Sequence, residues 1–90
     1  MWRPMKKGNI IGETEDKVLI EHPVQRDVHK LQPFLYYVWM HCDGSRTIDQ
    51  LINLIIQEAK SKLNIELSSE HVNKVLHSAL EQLRKAGLIE

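Results

Sequence analysis

His41, Cys42 and Asp43 stand consecutively near the middle of the chain, placing a thiol between an imidazole and a carboxylate. These residue types, suitably arranged, make a nucleophile with its base and orienting group. Neighbours on a helix point about 100° apart, however, so His41 and Cys42 form no hydrogen-bonded dyad unless the helix breaks between them. Cys42 therefore reads as a small core residue. Asp43 reads as a turn former beside Gly44.

The five histidines, His22, His29, His41, His71 and His77, have no metal-ligand spacing unless folding brings a strand pair and a helix pair together. There is no HExxH motif and no cysteine pair to support such a site. Gly8, Gly12, Gly44 and Gly87 are too scattered to form a phosphate cradle, and no GxSxG elbow is present. The chemistry-bearing residues thus predict a protein that is not an enzyme and holds neither a metal nor a cofactor.

The elements that would position these residues follow from punctuation and periodicity. Asn9–Gly12 and Lys17–His22 read as short strands separated by the polar Glu13–Asp16 connection. Pro23 closes the second. From Val24 the pattern alternates, with Val24, Arg26, Val28 and Lys30 on one face and Gln25, Asp27, His29 and Leu31 on the other, which predicts a half-exposed edge strand. Pro33 suits the first turn of a helix running to about Cys42, and Asp43-Gly44 ends it. Thr47 and Gln50 predict a capping box for a second helix, whose apolar positions run from Ile48 to Leu63. Ser68-Ser69 offers caps for a third, with the stripe Val72, Val75, Leu76, Ala79, Leu80 and Leu83 and Gly87 at its end. Three short antiparallel strands followed by three helices predict a single α+β domain of winged-helix type over residues 1–90, with residues 1–7 as a disordered tail.

Composition narrows the function. Hydrophobic residues make up 42% and charged residues 27% of the chain, values of an ordinary globular domain. Twelve basic and twelve acidic side chains cancel, which argues against a broad nucleic-acid surface. A lone cysteine fits a reducing compartment, and neither a signal-peptide core nor a membrane-length apolar run is present. A cytoplasmic protein is the expectation.

Two features point to binding. The third strand offers unpaired backbone groups to which an extended peptide, or a second copy of the chain in a homodimer, could add. The outer face of the third helix carries Asn73, Lys74, His77, Arg84 and Lys85; as a solvated face it needs no function. The alternative of a winged-helix nucleic-acid binder would place this helix in a major groove, but Glu70 and Glu81 share the face with the bases.

Leu31-Gln32, Val38-Trp39 and the run Cys42-Asp43-Gly44-Ser45-Arg46-Thr47-Ile48 resemble the PqqD family, whose members share a leucine and a polar residue, a branched residue with tryptophan seven positions on, and a DG turn leading into a hydrophobic helix start. Val72, Leu76, Leu80, Leu83 and Gly87-Leu88 resemble its closing helix, so the likeness spans roughly residues 17–89. Gln32 stands where asparagine is usual, and Pro33, Phe34 and Tyr36-Tyr37 replace small residues, so the resemblance points to a pathway related to pyrroloquinoline quinone synthesis. The resemblance implies a non-catalytic recognition element that holds the leader of a ribosomally made precursor peptide and presents it to a maturase, often a radical SAM enzyme. The leader would lie antiparallel along the third strand, in a groove walled by the third helix. On this chain that implies the backbone of Arg26 to Lys30, the side chains of Val28 and Lys30, and Asn73, His77, Leu80 and Arg84 on the helix edge.

Overall fold

A computed structural model describes residues 1–90. The chain forms three strands, β1 (Asn9–Glu13), β2 (Val18–Glu21) and β3 (Val28–Leu31), then three helices, α1 (Pro33–His41), α2 (Ile48–Leu63) and α3 (Ser69–Lys85). The strands make one antiparallel sheet in the order β1-β2-β3, which leaves β1 and β3 as edges. A bulge between Ile10 and Gly12 takes Ile11 out of the β1–β2 register; such a kink blunts an edge. No helix is long and apolar enough to cross a membrane.

The helices begin where the sequence supplies caps. Thr47 Oγ1 accepts from the Gln50 backbone N–H at 3.3 Å while Gln50 Oε1 accepts from the Thr47 N–H at 2.8 Å, a complete capping box. Ser68 Oγ accepts from the His71 N–H at the start of α3. Pro33 fills the first position of α1, where no intrahelical donor is needed. Leu63, read from periodicity as an inward position, is 67% exposed, because Asn64 turns the chain in a left-handed conformation and ends α2 there.

The inner faces meet in one core. Ile20 and Leu31 from the sheet, Val38 and Trp39 from α1, Leu51 and Ile55 from α2, and Leu76 and Leu83 from α3 are all buried together. Leu76 is fully enclosed, and burying a leucine contributes roughly 1.5–3 kcal/mol. Leu88 and Ile89 fold back under this core after α3. Gly87 permits the return: its φ is +75°, and a Cβ there would sit 2.5 Å from His22 Nε2.

Two sequence expectations are corrected. Residues 1–7 are not a loose tail: Pro4 is buried, Met5 and Lys6 pair with Asp43 and Ile89, and backbone bonds join Met5 with Glu90 and Lys7 with Leu88. The apolar and polar pattern of the first residues is silent here because the attachment is made largely by backbone bonds. The third strand is also shorter than Val24–Leu31. Pro23 to Gln25 form a turn, His22 Nδ1 accepts from the Val24 and Gln25 N–H groups, and Arg26 adopts φ +65°, so extended pairing starts at Val28. Local bonds to the His22 ring replace the ladder that alternation alone suggests.

Candidate functional site

The register of β3 determines which of its backbone groups are free. Val18 faces Leu31, Leu19 faces Lys30, Ile20 faces His29 and Glu21 faces Val28. The next pair outward, His22 and Asp27, is hydrogen-bonded, with the His22 N–H donating to the Asp27 carbonyl at 2.8 Å. Hydrogen-bonded and non-bonded pairs alternate along an antiparallel ladder. The backbone groups of His29 and Leu31 therefore point to β2, and those of Val28 and Lys30 point away from it, along the open edge. The side chains of Val28 and Lys30 are exposed, while Leu31 is buried and His29 half-buried. His29 Nε2 lies 3.0 Å from Asp27 Oδ2 but is not aligned for a hydrogen bond.

Arg26, placed by sequence on this edge, sits instead in the turn, and its Nε pairs with Glu21 Oε1 at 3.1 Å. Its role is to hold the hairpin loop closed.

Beyond the end of β3 lies a groove of about 450 Å³. One wall is Gln32, Phe34 and Leu35; the other is an edge of α3 comprising Lys74, Val75, Ser78 and Gln82, with His71 at its start and Ala79 at its floor. This edge is not the one read from sequence. Asn73, His77, Leu80 and Arg84 share a different stripe, more than about 100° around the helix. His77, Leu80 and Arg84 gather with Trp2 around a separate groove of about 530 Å³, where the Arg84 guanidinium lies 5.8 Å from the Trp2 ring centre. Asn73 faces the α2–α3 side with Asp49 and Ser69. The structure thus brings Val28 and Lys30 to the open edge and sets the four predicted helix residues elsewhere. The missed wall did leave a signal: Val75 and Ala79 belong to the apolar stripe, and Gln82 extends their flank of it at a spacing of three.

The residues with candidate chemistry are dispersed. Burial, and secondarily the charge of Asp43, pushes the Cys42 thiol up to about 11, so it stays protonated at neutral pH. Asp43 spends both carboxylate oxygens on the turn, accepting from the Ser45 hydroxyl at 2.6 Å and from Arg46 at 3.1 Å. The Ser45 bonds, assisted by Arg46, hold its pKa below the usual value. The ring of His41 stands 4.6 Å from that of Tyr37. Tyr37 is half-buried, with its hydroxyl shielded from solvent and without a well-aligned partner, and burial, with Glu58 nearby, pushes it up to about 12. No group of three His, Cys, Asp or Glu side chains is placed to hold a metal ion.

The motif residues bind the fold together. Trp39 Nε1 donates both to the Lys7 carbonyl at 3.1 Å and to the Leu88 carbonyl at 3.0 Å, joining α1 to both chain ends. Gly44, at φ +83°, donates its N–H to the Pro4 carbonyl. The chain matches no family model, no curated protein and no solved structure.

Proposed function

We propose that this chain is a non-catalytic peptide-binding chaperone, which takes the leader segment of a ribosomally made precursor as an added strand on β3 and presents the rest to a modifying enzyme such as a radical SAM maturase. The observation that carries the reading is the free edge: Val28 and Lys30 direct their backbone groups outward, beside a groove walled by α1 and α3. An extended peptide satisfies such groups with main-chain bonds and gains sequence preference from the neighbouring groove. The resemblance of the Trp39 and Asp43-Gly44 motifs to the PqqD family supports the same reading.

The edge geometry makes the test selective. Val28→Pro removes an outward donor and leaves the bonds to β2 in place, whereas His29→Pro removes a ladder donor. Val28→Pro is expected to retain the far-UV circular dichroism of the parent and to weaken binding of a leader from a short precursor encoded beside this chain by roughly 3- to 10-fold, the loss of one hydrogen bond. Undiminished binding by a folded Val28→Pro variant would overturn strand addition.

A further inference from the structure

The groove between Gln32–Leu35 and α3 differs in charge from the other sizeable grooves. Its charged or titratable lining consists of Lys74 and His71, with no carboxylate. Each of the four other sizeable grooves contains at least one acid: Glu81 beside Trp2, Asp16 at the β1–β2 tip, Glu58 between α1 and α2, and Glu70 at the start of α3. With twelve cations and twelve anions in the chain, this is a local separation of charge within a neutral molecule.

The cations are also unspent. Lys7, Arg26, Arg46, Lys62 and Lys85 each stand within salt-bridge distance of a carboxylate. Lys74 and Lys30 have no such partner. The same is true of Arg3, Lys6, Lys17, Lys60 and Arg84, but of these seven only Lys74 lines the groove and only Lys30 lies on β3. Lys30 is exposed on the open edge two residues before Gln32, which lines the groove; alternation places the two side chains on the same side of the extended segment. A strand added to β3 and continuing past Gln32 meets Lys30 first and Lys74 afterwards. Beside Lys74 the groove is lined by the apolar side chains of Phe34, Leu35, Val75 and Ala79.

We propose that the edge-and-groove site selects an acidic extended peptide, with carboxylates set against Lys30 and Lys74 and an apolar side chain between them over Val75 and Ala79. This inference rests on the strand-addition reading and adds the chemistry of the ligand to it. Both lysines are solvent-exposed, so each ion pair changes affinity by about two- to fivefold, and the two together by about 4- to 25-fold. The preference weakens with salt, as the screening length drops from about 10 Å at 0.1 M to about 3 Å at 1 M. Two cations beside an apolar floor suit carboxylates on one peptide better than a polynucleotide, whose affinity comes from neutralising many phosphates.

The test is selection from a displayed library of random extended peptides by the intact chain, followed by affinity measurement on the selected peptides and their Glu→Gln and Asp→Asn counterparts. Enrichment of Asp and Glu is expected, with an about 4- to 25-fold loss for the amide counterparts at low salt, and a Lys30→Glu/Lys74→Glu double variant is expected to enrich Lys and Arg instead. Selected peptides that perturb β3 amides yet are neutral or basic, or a double variant with unchanged preference, would overturn the charge selection while leaving strand addition standing. A failure to enrich any peptide that perturbs β3 would overturn both, as would tighter binding of duplex DNA than of every selected peptide.

Discussion

Trp39 serves the fold through its indole N–H as much as through its rings. That N–H donates to carbonyls at both chain ends, Lys7 and Leu88, and Trp39→Phe keeps most of the apolar volume while removing the indole donor from the Lys7 carbonyl and leaving the Leu88 carbonyl with the Lys7 N–H alone. The expected loss is about 1–3 kcal/mol of unfolding free energy, read by urea denaturation, with the largest increase in hydrogen exchange at Lys7 and Leu88. Cys42 makes a separate prediction. Its folded pKa is raised to about 11, so the folded state holds the thiol proton at pH values where the unfolded chain has released it. Stability is full below the unfolded value and declines as pH rises from about 8.5 toward 11. Thermal melts should show this alkaline decline, and Cys42→Ala should flatten part of it, with Tyr37, raised to about 12, accounting for a further part at higher pH. Asp43, by contrast, is spent on its turn with Ser45 and Arg46, as its position before Gly44 in the sequence suggested.

At the scale of elements, the local devices were legible in the sequence and the long-range ones were not. Thr47 and Gln50 announce the start of α2, Pro33 that of α1 and Ser68 that of α3, because a cap is written in residues a few positions apart. The N-terminal segment carries no such signature. Its partners are Cys42, Gly44, Leu88 and Glu90, and five backbone bonds join it to them: Met5 to Glu90, Glu90 to Met5, Lys6 to Cys42, Lys7 to Leu88 and Gly44 to Pro4. Deleting residues 1–6 removes four of these five bonds together with the buried Pro4 side chain. The truncated chain should melt well below the parent, and amide exchange should rise at Gly44 and Glu90; an unchanged melting temperature would show that the attachment adds nothing. The edge of α3 was illegible for a different reason. A helical stripe has two flanks, and sequence periodicity does not say which flank packs toward the strand. Lys74, Val75, Ser78 and Gln82 line the groove beyond β3, whereas His77, Leu80 and Arg84 turn toward Trp2.

For the whole molecule, three antiparallel strands followed by three helices give an α+β domain, as the order of short β-branched runs and longer amphipathic segments predicted. The core braces the sheet from one side through Ile20 and Leu31, and both chain ends lock at Trp39, so β3 stands as a fixed template. A prepositioned strand edge lowers the ordering that the proposed peptide binding would require of the protein. The alternation of free and bonded backbone groups makes this claim specific. The most direct measurement is an amide NMR titration with the leader of a precursor encoded beside the chain, together with hydrogen exchange in the complex. Strand addition predicts new exchange protection at the Val28 and Lys30 N–H groups, little change at His29 and Leu31, which are already bonded to β2, and shifts along Lys74 to Gln82. Saturating binding with no protection at Val28 and Lys30, or shifts confined to the Trp2 and Arg84 face, would contradict it.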